Sequence, residues 1–383
     1  MKKSVTRREF FSQCGRCAVY LAGLKALEWI PLACDSHAQS LEKGFLGRKV
    51  SPYYTALSDG RIRCELCPRQ CQVEKGKRGY CRVRENIDGR YYSLVYGNPC
   101  SVHVDPIEKK PLYHVLPGTL SFSLATAGCN LNCKFCQNWE ISQARPDDTL
   151  NYDLPPKAVV EGAKRNQCQS IASTYVEPTI FMEYMLEIGQ LAREQKLLKV
   201  IHSNGFVNAT PLQDLCKVLD AACIDLKGFT EDYYRDLTEG SLSPVLATLK
   251  RLKESKVHTE LVNLIVPGKN DDMEQIRAMC RWIRTELSPD VPLHFTRFYP
   301  LYKLKSLQPT PVATLEAAWK TALDEGLHFV YIGNVPGHDA EHTHCPQCKT
   351  RLIERTGYKV QVLQLQDGKC GKCGQAIPGI WKV

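Results

Sequence analysis

From residue 119 onward the chain alternates short apolar runs with longer amphipathic stretches. Residues 120–127 (LSFSLATA), 170–176, 198–203, 221–226, 258–266, 293–298 and 329–332 read as strands, each apolar and each closed by a polar or glycine-bearing turn. The intervening stretches 156–166 (with Pro in the first turn), about 179–196, 211–219, 273–287 and 312–325 carry helical spacing, and further helical segments lie between 228 and 258. Seven strands alternating with helices predict an α/β fold whose parallel sheet curls into a full or partial (β/α) barrel. In such folds the chemistry gathers at the C-terminal ends of the strands. Cys129, Glu177, Asn204, Asp225, Lys227 and Asn334 stand at those ends, a coincidence that core packing alone does not produce.

The rest of the chain divides into three parts. Residues 1–40 read as a leader or tail: Lys2, Lys3, Arg7 and Arg8 open it, and Thr6-Arg7-Arg8-Glu9-Phe10-Phe11 looks like a twin-arginine export signal. Its apolar stretch is interrupted by Arg16, Lys25 and Glu28. Ser36-His37-Ala38 offers a cleavage site and Cys34 a lipid-attachment point; an uncleaved amphipathic tail fits equally. Residues 41–118 form a basic, cysteine-rich module with strand-like runs such as 90–96, the barrel occupies 119–340, and 341–383 make a cysteine-bearing tail. No uncharged apolar run approaches the roughly 20 residues a membrane span needs.

With 383 residues, 24% charged and 43% hydrophobic, the composition excludes a disordered chain, a collagen-like repeat and a small disulfide scaffold. The net charge of +9 is concentrated in the first 120 residues; residues 121–383 hold 30 basic and 30 acidic side chains. A nucleic-acid partner is therefore conceivable only through the N-terminal part, where a solvated basic face is the simpler account.

Eleven of the 19 cysteines fall in three tight sets. Cys64, Cys67, Cys71 and Cys81 form C-x2-C-x3-C-x9-C; Cys129, Cys133 and Cys136 form C-x3-C-x2-C; Cys345, Cys348, Cys370 and Cys373 form C-x2-C-x21-C-x2-C. An odd total and repeated two-residue spacings point to metal sites rather than a secreted disulfide framework, in a reducing compartment. The middle set supplies three soft thiolates from one loop. That suits an iron–sulfur cube with one iron left open, or a zinc completed by a distant ligand such as His294. The tail set reads as a zinc ribbon with a structural zinc, a redox cluster being the alternative. The N-terminal set suits zinc or an auxiliary iron–sulfur cluster equally, Cys67-Pro68 being a ferredoxin-like pair.

The three-cysteine loop, with aromatic Phe135 before its last cysteine and a barrel around it, resembles the radical SAM superfamily. Cys64-Glu-Leu-Cys-Pro-Arg-Gln-Cys, Val104-Asp-Pro-Ile-Glu-Lys-Lys-Pro, Cys136-Gln-Asn-Trp-Glu-Ile-Ser, Ile224-Asp-Leu-Lys-Gly-Phe, Pro292-Leu-His-Phe-Thr-Arg-Phe, Gly333-Asn-Val-Pro-Gly-His and the terminal cysteine pairs narrow the resemblance. They are similar to the AmmeMemoRadiSam-system radical SAM enzymes, relatives of pyruvate formate-lyase activating enzymes. The likeness runs from about residue 50 to the end. The leader and Tyr299, where the pattern suggests His, depart from it.

The resemblance implies that Cys129, Cys133 and Cys136 hold a [4Fe-4S] cluster whose open iron chelates S-adenosylmethionine. One electron then cleaves the sulfonium C–S bond to a 5′-deoxyadenosyl radical that abstracts hydrogen from a substrate. It further implies cofactor-binding roles. Glu177 would accept from the methionine ammonium, or else serve as a charge at a helix start. Asp225 and Lys227 would serve the ribose and carboxylate ends, or else form a structural ion pair. Asn138 and Asn204 would be polar contacts or turn residues, and His294 would line the pocket or stand as a satisfied core residue. A low-potential donor such as flavodoxin or ferredoxin, and companion proteins of the Memo and AMMECR families, belong to the same implication. So does a protein target, by kinship with glycyl-radical activators. The expected location is cytoplasmic or at the cytoplasmic membrane face, with twin-arginine export the alternative. The competing class is an iron–sulfur electron carrier without chemistry of its own; a zinc-dependent nucleic-acid module is a third.

Overall fold

A computed structural model describes residues 41–382; the leader expected at 1–40, with Arg7, Arg8 and Cys34, lies outside the described residues. The central sheet has eight strands: β1 (Ser101–Pro106), β2 (Leu120–Ala125), β3 (Ser170–Ser173), β4 (Leu198–Ser203), β5 (Ala221–Asp225), β6 (His258–Ile265), β7 (Leu293–Arg297) and β8 (Val330–Gly333). They lie in the order β8-β7-β6-β5-β4-β3-β2-β1. Strands β2 to β8 are all parallel, and β1 adds antiparallel to β2 with Ser101 opposite Ala125. The edge strands β1 and β8 do not pair, so the sheet remains open.

Helices α1 (Pro156–Arg165), α2 (Met182–Glu194), α3 (Ala209–Cys216), α4 (Glu231–Thr238), α5 (Leu242–Glu254), α6 (Met273–Trp282) and α7 (Val312–Asp324) connect the parallel strands. Pro156 sits in the first turn of α1, where its missing N–H costs nothing. Thr230 caps α4 by accepting from Tyr233 N, and Asp272 caps α6 by accepting from Glu274 N. Alternation along the strands divides the buried residues between two faces. Phe122, Leu124, Ile171, Ile201, Ile224 and Leu261 pack with the helices, while Ala172, Val200, Ala221, Cys223 and Val262 form a second cluster. That second face is filled by Ile107, Leu112, Val115 and Leu116. Each such side chain contributes roughly 1.5–3 kcal/mol by leaving water.

Two of the boundaries that differ from the sequence expectation have a visible cause. β3 stops at Ser173 because Tyr175 takes φ +65°, which no strand accommodates. The helix expected over 273–287 loosens after Trp282 into a π turn over Ile283–Leu287.

The segment lining the second face hangs on Glu260. Its fully buried carboxylate accepts from Tyr113 N (3.0 Å), His114 N (2.7 Å) and His294 Nε2 (2.8 Å). The tail packs beside it. A hairpin of β9 (Arg351–Thr356) and β10 (Lys359–Val362) carries the buried Arg355, whose Nη2 donates to Tyr113 O at 2.8 Å. Ile380 N donates to His114 O, and Leu116 N to Ile380 O, both at 2.8 Å.

His114 completes this clasp. Its Nδ1 meets Pro378 O at 2.6 Å, and its Nε2 meets Tyr331 Oη at 2.7 Å. A carbonyl can only accept, so Nδ1 carries a proton, and burial of the ring favours the neutral form, in which Nε2 accepts from the Tyr331 hydroxyl. Burial pushes His114 down to about 3. The unfolded chain takes up this proton near pH 6.5, whereas the folded one resists until about pH 3. The contribution of His114 is therefore fully present above pH 6.5 and declines as the pH falls, by up to about 1.4 kcal/mol per unit. Urea midpoints measured between pH 7 and pH 4 are expected to fall less steeply in His114→Phe than in the wild type; identical slopes would refute this.

Candidate active site and metal centres

The loop after β2 brings Cys129, Cys133 and Cys136 to the C-terminal end of the sheet. Cys129 Sγ accepts from Leu131 N at 3.4 Å, and Cys136 Sγ lies 3.3 Å from Ser142 Oγ. Tight packing sets the loop's path. A Cβ on Gly128, at φ +90°, would stand 2.4 Å from the Cys81 carbonyl oxygen, so only glycine fits before Cys129. All three cysteines line one cavity of about 450 Å³ together with Asn138, Glu177, Asn204, Asp225 and Lys227.

Glu177, 3% exposed, follows β3 and faces this cavity. Its Oε1 accepts from Thr179 N (3.0 Å), Thr179 Oγ1 (2.5 Å) and Ser203 Oγ (2.8 Å); Oε2 accepts from Asn204 N (2.7 Å) alone. A carboxylate has about four acceptor sites, so Oε2 keeps room for one more donor. Burial raises the Glu177 carboxyl above its usual range, against the pull of these hydrogen bonds. The side chain is thus both a tie between two strand ends and a cavity wall.

Asp225 and Lys227 are paired at 2.8 Å, and His202 Nε2 meets the other Asp225 oxygen at 2.8 Å. Burial opposes both charges. Lys227 and His202 outweigh it and hold Asp225 well below the usual carboxylate range; Asp225 and Cys133 outweigh it at Lys227 and hold that ammonium well above its own. Asn138 donates to Tyr175 O at 2.7 Å, and Asn204 donates to Asn130 Oδ1 at 2.9 Å while accepting from Phe206 N at 2.8 Å. Both amides therefore shape loops as well as wall.

His294 does not line the cavity. It sits one layer below, stacked on Tyr331 and bonded to Glu260. Thr296, two positions further along β7, reaches the cavity in its place. The inward parity was right; the depth was short by about 6.6 Å, the rise of two strand residues. The same burial removes His294 as a distant ligand for the three-cysteine loop.

Several cavity residues were not singled out from the sequence. His202 precedes Asn204 by two on the same strand face, a parity signal that could have found it. Lys109 and Tyr175 reach the rim from Asp105, which accepts from Lys109 Nζ (2.8 Å), Lys110 Nζ (2.5 Å) and Tyr175 Oη. Tyr358, at the turn of the β9–β10 hairpin, reaches the cavity from the tail.

The three cysteine sets differ in spread. In the tail, Cys345, Cys348, Cys370 and Cys373 place their sulfurs within 4.8 Å of one another, with Cys345–Cys373 and Cys348–Cys370 at 3.6 Å. A tetrahedral zinc with bonds of about 2.3 Å requires sulfurs about 3.8 Å apart, so this set fits a single ion. Among the described residues no other group of three or more candidate ligand atoms is that tight. The Cys129 loop therefore offers three soft donors around a space wider than one ion, beside polar groups of both charges. That donor set suits an iron–sulfur cube with a chelating ligand on its free corner.

Comparison with known proteins agrees with this chemistry. A profile of the radical SAM superfamily matches residues 123–283. An uncharacterized Methanocaldococcus jannaschii protein, MJ0808, is 44% identical over 327 residues, covering 85% of this chain and 97% of that protein. A Staphylococcus epidermidis pyruvate formate-lyase-activating enzyme is 24% identical over 227 residues, covering 53% of this chain and 88% of the enzyme. Among solved structures, Streptococcus suis SuiB shares 14% identity over 59% of this chain and 51% of its own, at a TM-score of 0.45. The profile spans the strands and the loop that carry the three thiolates, and the archaeal likeness extends over nearly that whole protein: this chain belongs to the radical SAM superfamily.

Proposed function

We propose that the chain is an enzyme that reductively cleaves S-adenosylmethionine and abstracts hydrogen from a second substrate. The observation that carries this reading is the shared cavity: three thiolates, the Glu177 carboxylate and the Asp225–Lys227 pair all face one space at the strand ends. A [4Fe-4S] cluster held by Cys129, Cys133 and Cys136 would supply the electron that breaks the sulfonium C–S bond and releases a 5′-deoxyadenosyl radical.

The remaining work falls to the chain. Glu177 Oε2, with its spare acceptor site, receives the methionine ammonium. Lys227 presents a cation to the carboxylate, and Asp225 accepts from a ribose hydroxyl while His202 holds it in place. Asn138 and Asn204 fix the loops on either side of the cofactor. Val176, Val262 and Leu264 on the wall exclude water from a reactive intermediate. The open edge of the sheet, with helices packed against one face, makes a partial barrel the natural description.

Kinship with activating enzymes favours a protein target, and a low-potential flavodoxin or ferredoxin suits the reductant. Memo-family and AMMECR-family companions are the corresponding partners. Among the described residues no helix is long and apolar enough to cross a membrane. The cysteine chemistry favours a cytoplasmic or inner-face location, which fractionation showing a cleaved, exported form would overturn. The test of the function is anaerobic reconstitution with iron, sulfide, reductant and S-adenosylmethionine. Formation of 5′-deoxyadenosine and methionine is expected; a reduced cluster with neither product would leave an electron carrier instead.

The tail tetrad is proposed as a structural zinc site. Purified chain is expected to retain about one zinc that Cys348→Ser loses, with a lower melting temperature, because Tyr113, Tyr331 and Arg355 join the tail to the barrel. Unchanged zinc content in that variant would reject the assignment.

A further inference from the structure

The N-terminal tetrad is a different kind of site from the tail. Cys64 ends a short strand, and its N–H bonds back to Cys71 O at 2.9 Å. Between them the chain turns tightly at Gln70, where φ is +44° and the N–H meets Cys67 O. A second turn, Arg82 N to Gly79 O, presents Cys81 from across the module. All four cysteines line one small cavity with Arg69, Arg84, Tyr91, Asn130 and Ile180. Yet no three of their sulfurs come within the single-ion spacing that the tail set meets, a property they share with the Cys129 loop.

Two further observations bear on what the cavity takes. Arg69 aims its guanidinium at backbone carbonyls, Asn130 O at 2.5 Å and Glu239 O, and covers the Tyr80 ring, with the Glu239 carboxylate close enough to feel its charge. Arg84, fully buried, enters with its charge matched by Glu183 at 2.8 and 2.6 Å. These guanidinium groups suit the dianion that four thiolates form around either a zinc ion or a [4Fe-4S] core, and the sulfur spread, wider than one ion requires, selects the larger group. The cavity also shares a wall with the radical SAM loop: Asn130 lies between Cys129 and Cys133, and Gly128 touches the Cys81 carbonyl.

We propose that Cys64, Cys67, Cys71 and Cys81 hold a second [4Fe-4S] cluster, ligated by protein at all four corners. With no open iron it binds neither S-adenosylmethionine nor substrate. It takes up one electron from the low-potential donor and passes one on to the neighbouring cluster, with no bond made or broken. Its existence does not depend on the function proposed above; only its role does.

The test is iron and sulfide content of the full chain, purified anaerobically, with Cys129, Cys133 and Cys136 all changed to alanine. About four iron and four sulfide per chain are expected to remain, with visible absorption. Iron at background together with about two zinc per chain would overturn the proposal. Should that variant fold poorly, electron paramagnetic resonance of the reduced wild type decides. Two signals are expected, one shifted by added S-adenosylmethionine and one unmoved; a single signal that responds to S-adenosylmethionine overturns the second cluster. A single signal in the wild type that S-adenosylmethionine leaves unmoved keeps this proposal and rejects the radical chemistry instead, so the two failures are separable.

Discussion

Cys133→Ala is expected to lose about four irons per chain and to make 5′-deoxyadenosine only at background. Outer-shell partners of a metal typically cost about 10–100-fold when removed, and a direct ligand costs more. Cys133 is 9% exposed, and Cys129, Cys133 and Cys136 are the cysteines that line this cavity, so no substitute thiolate stands within it. The measurement is paired iron analysis and product formation against the wild type. Full product yield from Cys133→Ala would remove the cluster from the mechanism.

The second large effect belongs to the Asp225–Lys227 pair. Asp225→Ala leaves the Lys227 ammonium buried, its side chain 12% exposed, without its counter-ion. Stranding one member of a buried pair costs about 3–5 kcal/mol. Changing both, in Asp225→Asn with Lys227→Met, removes the stranded charge and is expected to recover most of that stability. It is not expected to recover binding of S-adenosylmethionine, because the groups that would meet its ribose and carboxylate are gone. Denaturation midpoints and S-adenosylmethionine titration, run on both variants, separate the two contributions. Normal binding by the double variant would reduce the pair to a structural ion pair.

The strands and their polar ends were legible because each parallel strand reads as a short, mostly apolar run set off from the amphipathic stretches around it, and in such a sheet the chemistry collects at the strand ends. Cys129, Glu177, Asn204, Asp225 and Lys227 follow from that geometry alone. What failed was depth and partnership. His294 has the right parity but lies a layer beneath the floor, and Glu260, which claims it, is the third residue of the eight-residue β6, far from the strand end where the chemistry gathers. The pairing of β1 with β2 was not visible either, since an alternating stretch such as SVHVDP does not name its partner. The rim group of Asp105, Lys109, Lys110 and Tyr175 joins two motifs 70 residues apart, which no local pattern connects. Sulfur spread, which separates the tail set from the other two, is a property of loop paths rather than of spacing.

Strands β2 to β8 stack in chain order, so each can dock onto a predecessor already in place. The Val115–Ile380 bridge obeys no such order. It joins distant segments, and the entropy of closing so long a loop has to be met before the contact gives anything back. Assembly should consequently finish with the tail, and thermal or mechanical opening should begin there. For a while in either direction the cavity mouth lacks the wall that Tyr358 supplies, which leaves an interval when inorganic components can be delivered or lost.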